Sequence, residues 1–407
     1  VPDGATGLAA LLPGVAAFPD AVVARDGNLA IIGVEPAEIV RVSGAGAFEA
    51  IDGLTPGWWT GCCSYDLGRS VERIAARSAD ELSIPDVLLA RFDARIVLDL
   101  SDGSATVVGS GPSLPRLGAL LHDGGAHPAF EPPTLGPSTS SLDRDEYTAR
   151  VERIIEHIEA GDCYQVNLAR RLVWPRAVDP FALFAELAVH NPAPHASVLR
   201  LDGISVVSAS PERFLRWDGR AVETRPIKGT AVASKTLGAS AKDHAENVMI
   251  VDLARNDLGR VCEPGTIRVP SLCALEAHPG LHHLVSTVQG TLRPGVSFGE
   301  LLRATMPPAS VTGAPKPRVM QIIEDLEPVR RGAYCGAVGW FDTERDVGDL
   351  AVAIRTFTTT SAVTTLGVGA GIVIDSNPIA EWEETELKAS RLIVAAGATP
   401  LLAGAAR

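Results

Sequence analysis

Two Asp-Gly dipeptides, Asp202-Gly203 and Asp218-Gly219, each flanked by apolar runs with strand-like alternation, constrain the middle of this chain more than any other feature. Asp-Gly suits the positive-φ turns of tight antiparallel hairpins, so 196–201, 204–208, 213–217 and 221–225 are expected to form a meander. The meander delivers 223–230 (ETRPIKGT), which places Lys228 just past a strand end. Lysine occurs only at 228, 235, 242, 316 and 388, and arginine supplies the other cations. A desolvated lysine can lose its proton and attack as an amine, which arginine cannot do. A surface lysine beside a tight turn is the other reading of this stretch.

Elsewhere the pattern alternates between strands and helices. Short apolar runs between 8 and 98, such as 28–34 and 87–100, read as strands, and 57–68 as a strand ending in a turn before a helix through Arg73. Gly, Pro and Ser accumulate in 101–141, a linker candidate with room for a short helix at 116–122. It divides an N-terminal part of the fold, 1–140, from a region, 141–400, that holds Lys228. Residues 141–160 carry Tyr147, Val151, Ile154, Ile155 and Ile158 at helical spacing before Gly161. A strand is expected at 163–172 and a helix at 180–190. Further helices are expected at 240–258, opened by Ser240 and Asp243, and after Ser376 and Asn377 with Pro378 in the first turn. The 407 residues suffice for two or three ordinary domains or one large one, and pattern alone gives α+β.

Charge narrows the partners. A net charge of −13 argues against nucleic acid or an anionic membrane, and an anionic small substrate would need a metal ion or local cations. No apolar run approaches the roughly 20 residues of a membrane span, so a cytoplasmic protein is expected. The cysteines at 62, 63, 163, 262, 273 and 335 form no CxxC pair, which signals neither zinc nor a redox couple.

Carboxylates on two of the helices are the metal candidates. Glu246 lies in 240–258, and Glu381 and Glu384 share one face of the last helix, where Glu384 could equally pair with Lys388. Such a set suits Mg²⁺, which takes few protein oxygens, although solvated helical glutamates give the same spacing. The run 367–371 (GVGAG) departs from a dinucleotide fingerprint, because its third Gly comes too early and no βαβ unit surrounds it. It reads instead as a glycine run between a strand and a helix, whose N–H groups can approach a carboxylate. Residues 312–316 (TGAPK) lack the ending of a phosphate loop. His282 and His283 sit in an expected strand, so at most one faces a given site.

With these residues in view, the chain resembles the chorismate-utilising enzymes, most of all the branch that forms 4-amino-4-deoxychorismate. The resemblance runs over 147–392, more weakly over 61–68, and is carried by 164–170 (YQVNLAR), 210–214 (SPERF), 226–230 (PIKGT), 245–257 (AENVMIVDLARND), 282–286 (HHLVS), 312–316 (TGAPK), 334–340 (YCGAVGW), 354–357 (IRTF) and 369–373 (GAGIV). It implies a large fold of two antiparallel sheets packed as a sandwich with helices outside. It also implies that Lys228 attacks C2 of chorismate while Glu212 protonates the departing 4-hydroxyl, after which ammonia attacks C4 and expels the lysine. Mg²⁺ would be held by Glu246 and Glu384, with Glu381 acting through water. Arg355, Tyr334, Gly369 and Gly371 would cradle a carboxylate, and His283, Ser310, Thr230, Gln165 and Lys388 would complete the substrate contacts. Gln165 stands where isochorismate-forming relatives carry a lysine base, which argues against water as nucleophile.

Three departures accompany the resemblance. Ala309-Ser310 stands where relatives often have Gly-Thr, 191–195 (NPAPH) lacks Tyr-Met after the prolines, and no Leu-Leu-Glu-Ser occurs near the start. The last two count against a tryptophan effector site like that of feedback-regulated relatives. No glutaminase Gly-x-Cys-x-Gly elbow is present, so ammonia is expected from solution or from a separate glutaminase subunit. Anthranilate synthase component I, an isochorismate or salicylate synthase, and a catalytically silent binding subunit are the alternatives.

Overall fold

A computed structural model describes residues 4–122, 127–231, 241–278 and 281–399. The Asp-Gly turns do what their chemistry requires: strand His195–Leu201 pairs antiparallel with Ile204–Ser210, and Arg213–Asp218 with Ala221–Arg225. The meander is not one sheet, however. Its first hairpin lies in an 11-stranded sheet and its second in a 10-stranded sheet, so the chain changes layers at 211–212.

The layers face each other across an apolar seam. Val22, Leu199 and Val206 of the first sheet meet Trp58, Leu88, Val338 and Ala351 of the second. Outside the first sheet, helices Gly4–Val15, Leu114–His122, Pro180–His190 and Pro378–Ala395 bury Leu12, Leu117, Phe184 and Leu392. Outside the second, helices Ala47–Asp52, Ala241–Gly259 and Phe298–Thr305 bury Phe48, Val251 and Leu301 against Trp217 and Phe341. The α+β sandwich with outer helices is thus the observed fold. Strands from both ends of the chain share each sheet: Ala21–Asp26 pairs with His195–Leu201, and Trp58–Cys63 with Ala337–Asp342.

Several local expectations change. The run 87–100 is two strands, Val87–Arg91 and Ala94–Asp99, and the expected linker contains strand Ala105–Gly109 in addition to the short helix expected at 116–122, which spans Leu114–His122. After Trp58–Cys63 the chain makes a 3₁₀ turn, Tyr65–Ser70, instead of an α-helix. Lys228 is not past a strand end. Pro226 interrupts the ladder, but Ile227–Ala231 resumes it against Leu281–Thr291, with a register shift at Gly229, whose φ of 74° only glycine adopts freely. Ser240 lies outside the described residues. Asn377 does cap the last helix, accepting from Ile379 and Ala380.

Candidate active site

Two layer crossings run side by side and carry the first pair of candidates. Glu212 lies on the crossing between Ile204–Ser210 and Arg213–Asp218, and Arg355 on the one between Val347–Val352 and Thr356–Thr359. The Val352 N–H donates to the Glu212 carbonyl at 3.0 Å, the Ala209 N–H to the Arg355 carbonyl at 3.1 Å, and the Ser210 hydroxyl to the Val352 carbonyl at 2.6 Å. Arg355 adopts φ 52°, a left-handed corner held by these bonds.

The Glu212 side chain is buried, accepts from the Ser310 hydroxyl and the Ile227 N–H, and faces Lys228. Burial outweighs all three and pushes its carboxyl up to about 7, so much of it keeps its proton at neutral pH. Burial and the like charge of Arg391 lower the Arg355 guanidinium from its ordinary value. Among the described residues no carboxylate pairs with Arg355, so this cation is available to an anionic ligand.

The glycine run forms the floor. Residues 367–371 do not link a strand to a helix; they lie inside strand Thr364–Ile372, beside Gln165–Trp174. Ala169 sends its N–H to Glu327, and the Asn167 carbonyl accepts from Arg331, so the pairs Ala169↔Gly369 and Asn167↔Gly371 are the non-bonded kind. The N–H and C=O of Gly369 and Gly371 therefore face the other edge, where the described ladder ends at Leu366. Lys388 donates to the Gly369 carbonyl at 2.9 Å on that edge. The chain has glycine here for space: a Cβ at 367 would meet the Tyr334 ring at 2.2 Å, and one at 371 would meet Lys228 Nζ at 3.1 Å and Gln165 Nε2 at 3.2 Å.

Lys228, Gln165, Tyr334, Gly369 and Gly371 are thereby gathered on one surface, with Glu212 and Ser310 beside Lys228. Gln165 is fully buried, yet neither end of its amide has a partner among the described residues, as expected of a group that serves a ligand. Burial holds the Tyr334 phenol neutral. His283 is buried opposite Thr230 in the ladder; the Thr230 side chain lies outside the description.

The carboxylates are spread more widely. Glu246 approaches Lys228, Glu384 pairs with Lys388 at 2.6 Å, and Glu381 accepts from the Ser376 hydroxyl at 2.7 Å. Among the described residues no three His, Cys, Asp or Glu side chains lie close enough together to hold a metal. Glu246, beside Lys228, and Glu384, joined through Lys388 to the Gly369 carbonyl, carry hard anionic oxygens of the kind that suits Mg²⁺, an ion content with one or two carboxylates plus substrate and water. The bonds by which Glu327 and Arg331 hold the Gln165 strand had no sequence signal, since an acid and a base four residues apart look like any helical surface pair.

Residues 18–394 match the profile of the chorismate binding enzyme family. Aminodeoxychorismate synthase component 1 of Klebsiella aerogenes is 39% identical over 344 residues, 82% of this chain and 76% of the relative. Anthranilate synthase component 1 of Thermus thermophilus is 38% identical over 353 residues, covering 82% and 76%. The crystal structure of anthranilate synthase component I from Streptococcus pneumoniae superposes with a TM-score of 0.79 at 27% identity, covering 90% of this chain and 92% of that one. No helix among the described residues is long and apolar enough to cross a membrane. With a family match over most of its length, the chain belongs to the chorismate binding enzymes.

Proposed function

We propose that this chain converts chorismate and ammonia to 4-amino-4-deoxychorismate through a lysine adduct. The observation that carries this reading is the placement of Lys228, with its Nζ over Gly371 on the face that also holds Gln165 and its charge facing the buried acid Glu212. Once Lys228 has released a proton and is a neutral amine, Glu212 gives its proton to the 4-hydroxyl, which leaves as water as the Lys228 nitrogen bonds C2 and the ring double bond shifts. Ammonia then bonds C4, the double bond shifts back, the C2–N bond breaks to return Lys228 as a neutral amine, and the new C4 ammonium gives a proton back to the Glu212 carboxylate. Atoms balance as chorismate plus ammonia giving product plus water.

Arg355 and the N–H groups of Gly369 and Gly371 are suited to one substrate carboxylate, with Tyr334 covering the floor beside them. Mg²⁺ bound to Glu246 and Glu384 would neutralise the other carboxylate and polarise the ring, with Glu381 contributing through water. Buried Gln165, an amide without basicity, offers hydrogen bonds but no route to deprotonate water. In this reading the chain is a cytoplasmic component 1 that receives ammonia from a separate glutaminase subunit, as the names of its component 1 relatives suggest.

Purified chain incubated with chorismate, Mg²⁺ and ammonium, with products separated and identified, tests the reading. Aminodeoxychorismate is expected with ammonium and none with glutamine alone. Anthranilate or isochorismate as the main product would overturn it.

A further inference from the structure

The stretch 57–68 and the segment 327–332 take no part in the chemistry above, yet they meet beneath it. Glu327 holds the buried guanidinium of Arg331 fork to fork, Nε to Oε2 at 2.9 Å and Nη2 to Oε1 at 2.6 Å. The other donors reach two main-chain carbonyls, Nη1 to Val311 at 2.9 Å and Nη2 to Asn167 at 2.6 Å. Glu327 also accepts from the Ala169 N–H at 2.8 Å.

These targets fill a gap in a ladder. On its outer edge strand Gln165–Trp174 pairs with Gly313–Ala314 only at Gln165 and Val166, and with Thr139–Ser140 only at Leu172 and Val173. Between them, buried Asn167 and Ala169 would be left with unmet main-chain groups, and the ion pair supplies the donor and acceptor that a neighbouring strand would have brought. The N-terminal stretch braces the pair from below. The guanidinium carbon lies 4.5 Å from the centre of the Tyr65 ring, the Tyr65 N–H donates to the Gly332 carbonyl at 2.9 Å, and Asp66 accepts from the Gly332 N–H at 2.9 Å.

Arg331 thus grips the main chain two residues from Gln165 and one residue from Ser310, and its own segment leads into Tyr334. We propose that Arg331, locked by Glu327 and seated on Tyr65, is a positioning residue that sets the separation of Gln165 and Ser310 across the active site; the assignment rests on the reaction read above. Lysine cannot replace it, since one ammonium lacks the planar fork that serves Glu327 and both carbonyls together.

Total chorismate consumption, whatever product forms, is the readout for variants, and product identity in the wild type is determined separately. A wrong product would then sink the amination reading without touching the positioning assignment. Arg331→Lys that folds normally by circular dichroism is expected to lose roughly 100-fold in kcat, as a misplacement of about 1 Å can cause, with KM for chorismate changed far less. Glu327→Gln should show a smaller loss with the same split. Guanidinium added to Arg331→Ala should restore turnover, whereas sodium chloride at equal ionic strength should not. The assignment is overturned if Arg331→Lys keeps wild-type kcat, if its only change is a lower melting temperature, or if a folded Arg331→Ala does not respond to guanidinium.

Discussion

Lys228 Nζ lies 3.6 Å from a carboxylate oxygen of Glu246, so the candidate nucleophile and a candidate metal ligand neutralise each other. Both side chains are largely buried, which keeps solvent from screening the pair. A divalent cation approaching Glu246 must therefore compete with the lysine for one carboxylate. Lys228→Met removes the competitor, and calorimetry should show Mg²⁺ binding several-fold more tightly than in the wild type. Unchanged or weaker binding would separate Glu246 from the metal. Glu246→Gln and Glu384→Gln should each abolish Mg²⁺-dependent turnover while leaving the melting temperature nearly unchanged.

The nucleophile itself is tested by chemistry. Lys228→Ala should make little aminodeoxychorismate and divert what reaction remains to ammonia addition at C2, giving an anthranilate-type product. Lys228→Arg should not rescue, because it keeps charge and loses nucleophilicity. Mass spectrometry of enzyme with chorismate and no ammonia should find an adduct on the peptide containing Lys228. An Arg variant working at the wild-type rate, with no adduct trapped, would reduce Lys228 to a positive charge.

Glu212 sets a pH limit. Its folded value, about 7, is above that of an exposed glutamate, so the proton it would give as the proposed acid is present at lower pH and lost as pH rises through that value. At fixed free ammonia, kcat should fall on the alkaline side of neutrality. Glu212→Gln should lower kcat by roughly 10² to 10⁴-fold and flatten that limb. The same raised value means that burying Glu212 costs stability progressively between the ordinary glutamate range and about pH 7, a cost that the Gln variant lacks.

His195 gives the opposite sign. Burial and the charges of Arg213, Arg225, Arg216 and Arg25 push its imidazole down to about 3, so it stays neutral when folded but takes a proton when unfolded below about pH 6.5. Stability should decline as pH falls from 6.5 toward 3. His195→Gln should blunt that decline, read from urea midpoints at pH 7 and pH 5.

The glycine floor can be probed one methyl group at a time. Gly367→Ala would place its Cβ 2.2 Å from the Tyr334 ring, and the ring has to move; Gly371→Ala would crowd Lys228 and Gln165 at 3.1 and 3.2 Å. Each should reduce kcat/KM for chorismate, Gly367→Ala with a clear loss of melting temperature and Gly371→Ala with little. A Gly371→Ala enzyme with unaltered kinetics would detach that strand face from the substrate.

How far the sequence could be read follows from where information is local. The hairpins at Asp202-Gly203 and Asp218-Gly219 were legible because turn chemistry and alternation agree, and the helices at 144–159 and 378–395 because caps and periodicity agree. The strand around Lys228 was hidden, since Pro226 imitates a strand end and the bulge at Gly229 that reopens the ladder shows only in the pairing. The run 367–371 looked like a loop because glycine is ordinarily poor in strands; its reason is the bulk of Tyr334 and Lys228, which the fold brings from elsewhere. Roles for Glu212 and Arg355 came only through family motifs, because the burial that shifts an acid and the corner that isolates a cation depend on both layers. Nothing in the spacing of Glu327 and Arg331 told a surface pair from a buried brace.

The two layer crossings have a mechanical consequence. Each is a short covalent tie between sheets, and the hydrogen bonds between them make a double rivet at one place. Sliding one sheet over the other would shear this joint directly, as it would the short crossings at 35–37 and 92–93. Glu212 and Arg355 ride on the rivet, so the distance between them is tied to the stiffness of the whole two-layer body and not to any one strand or loop.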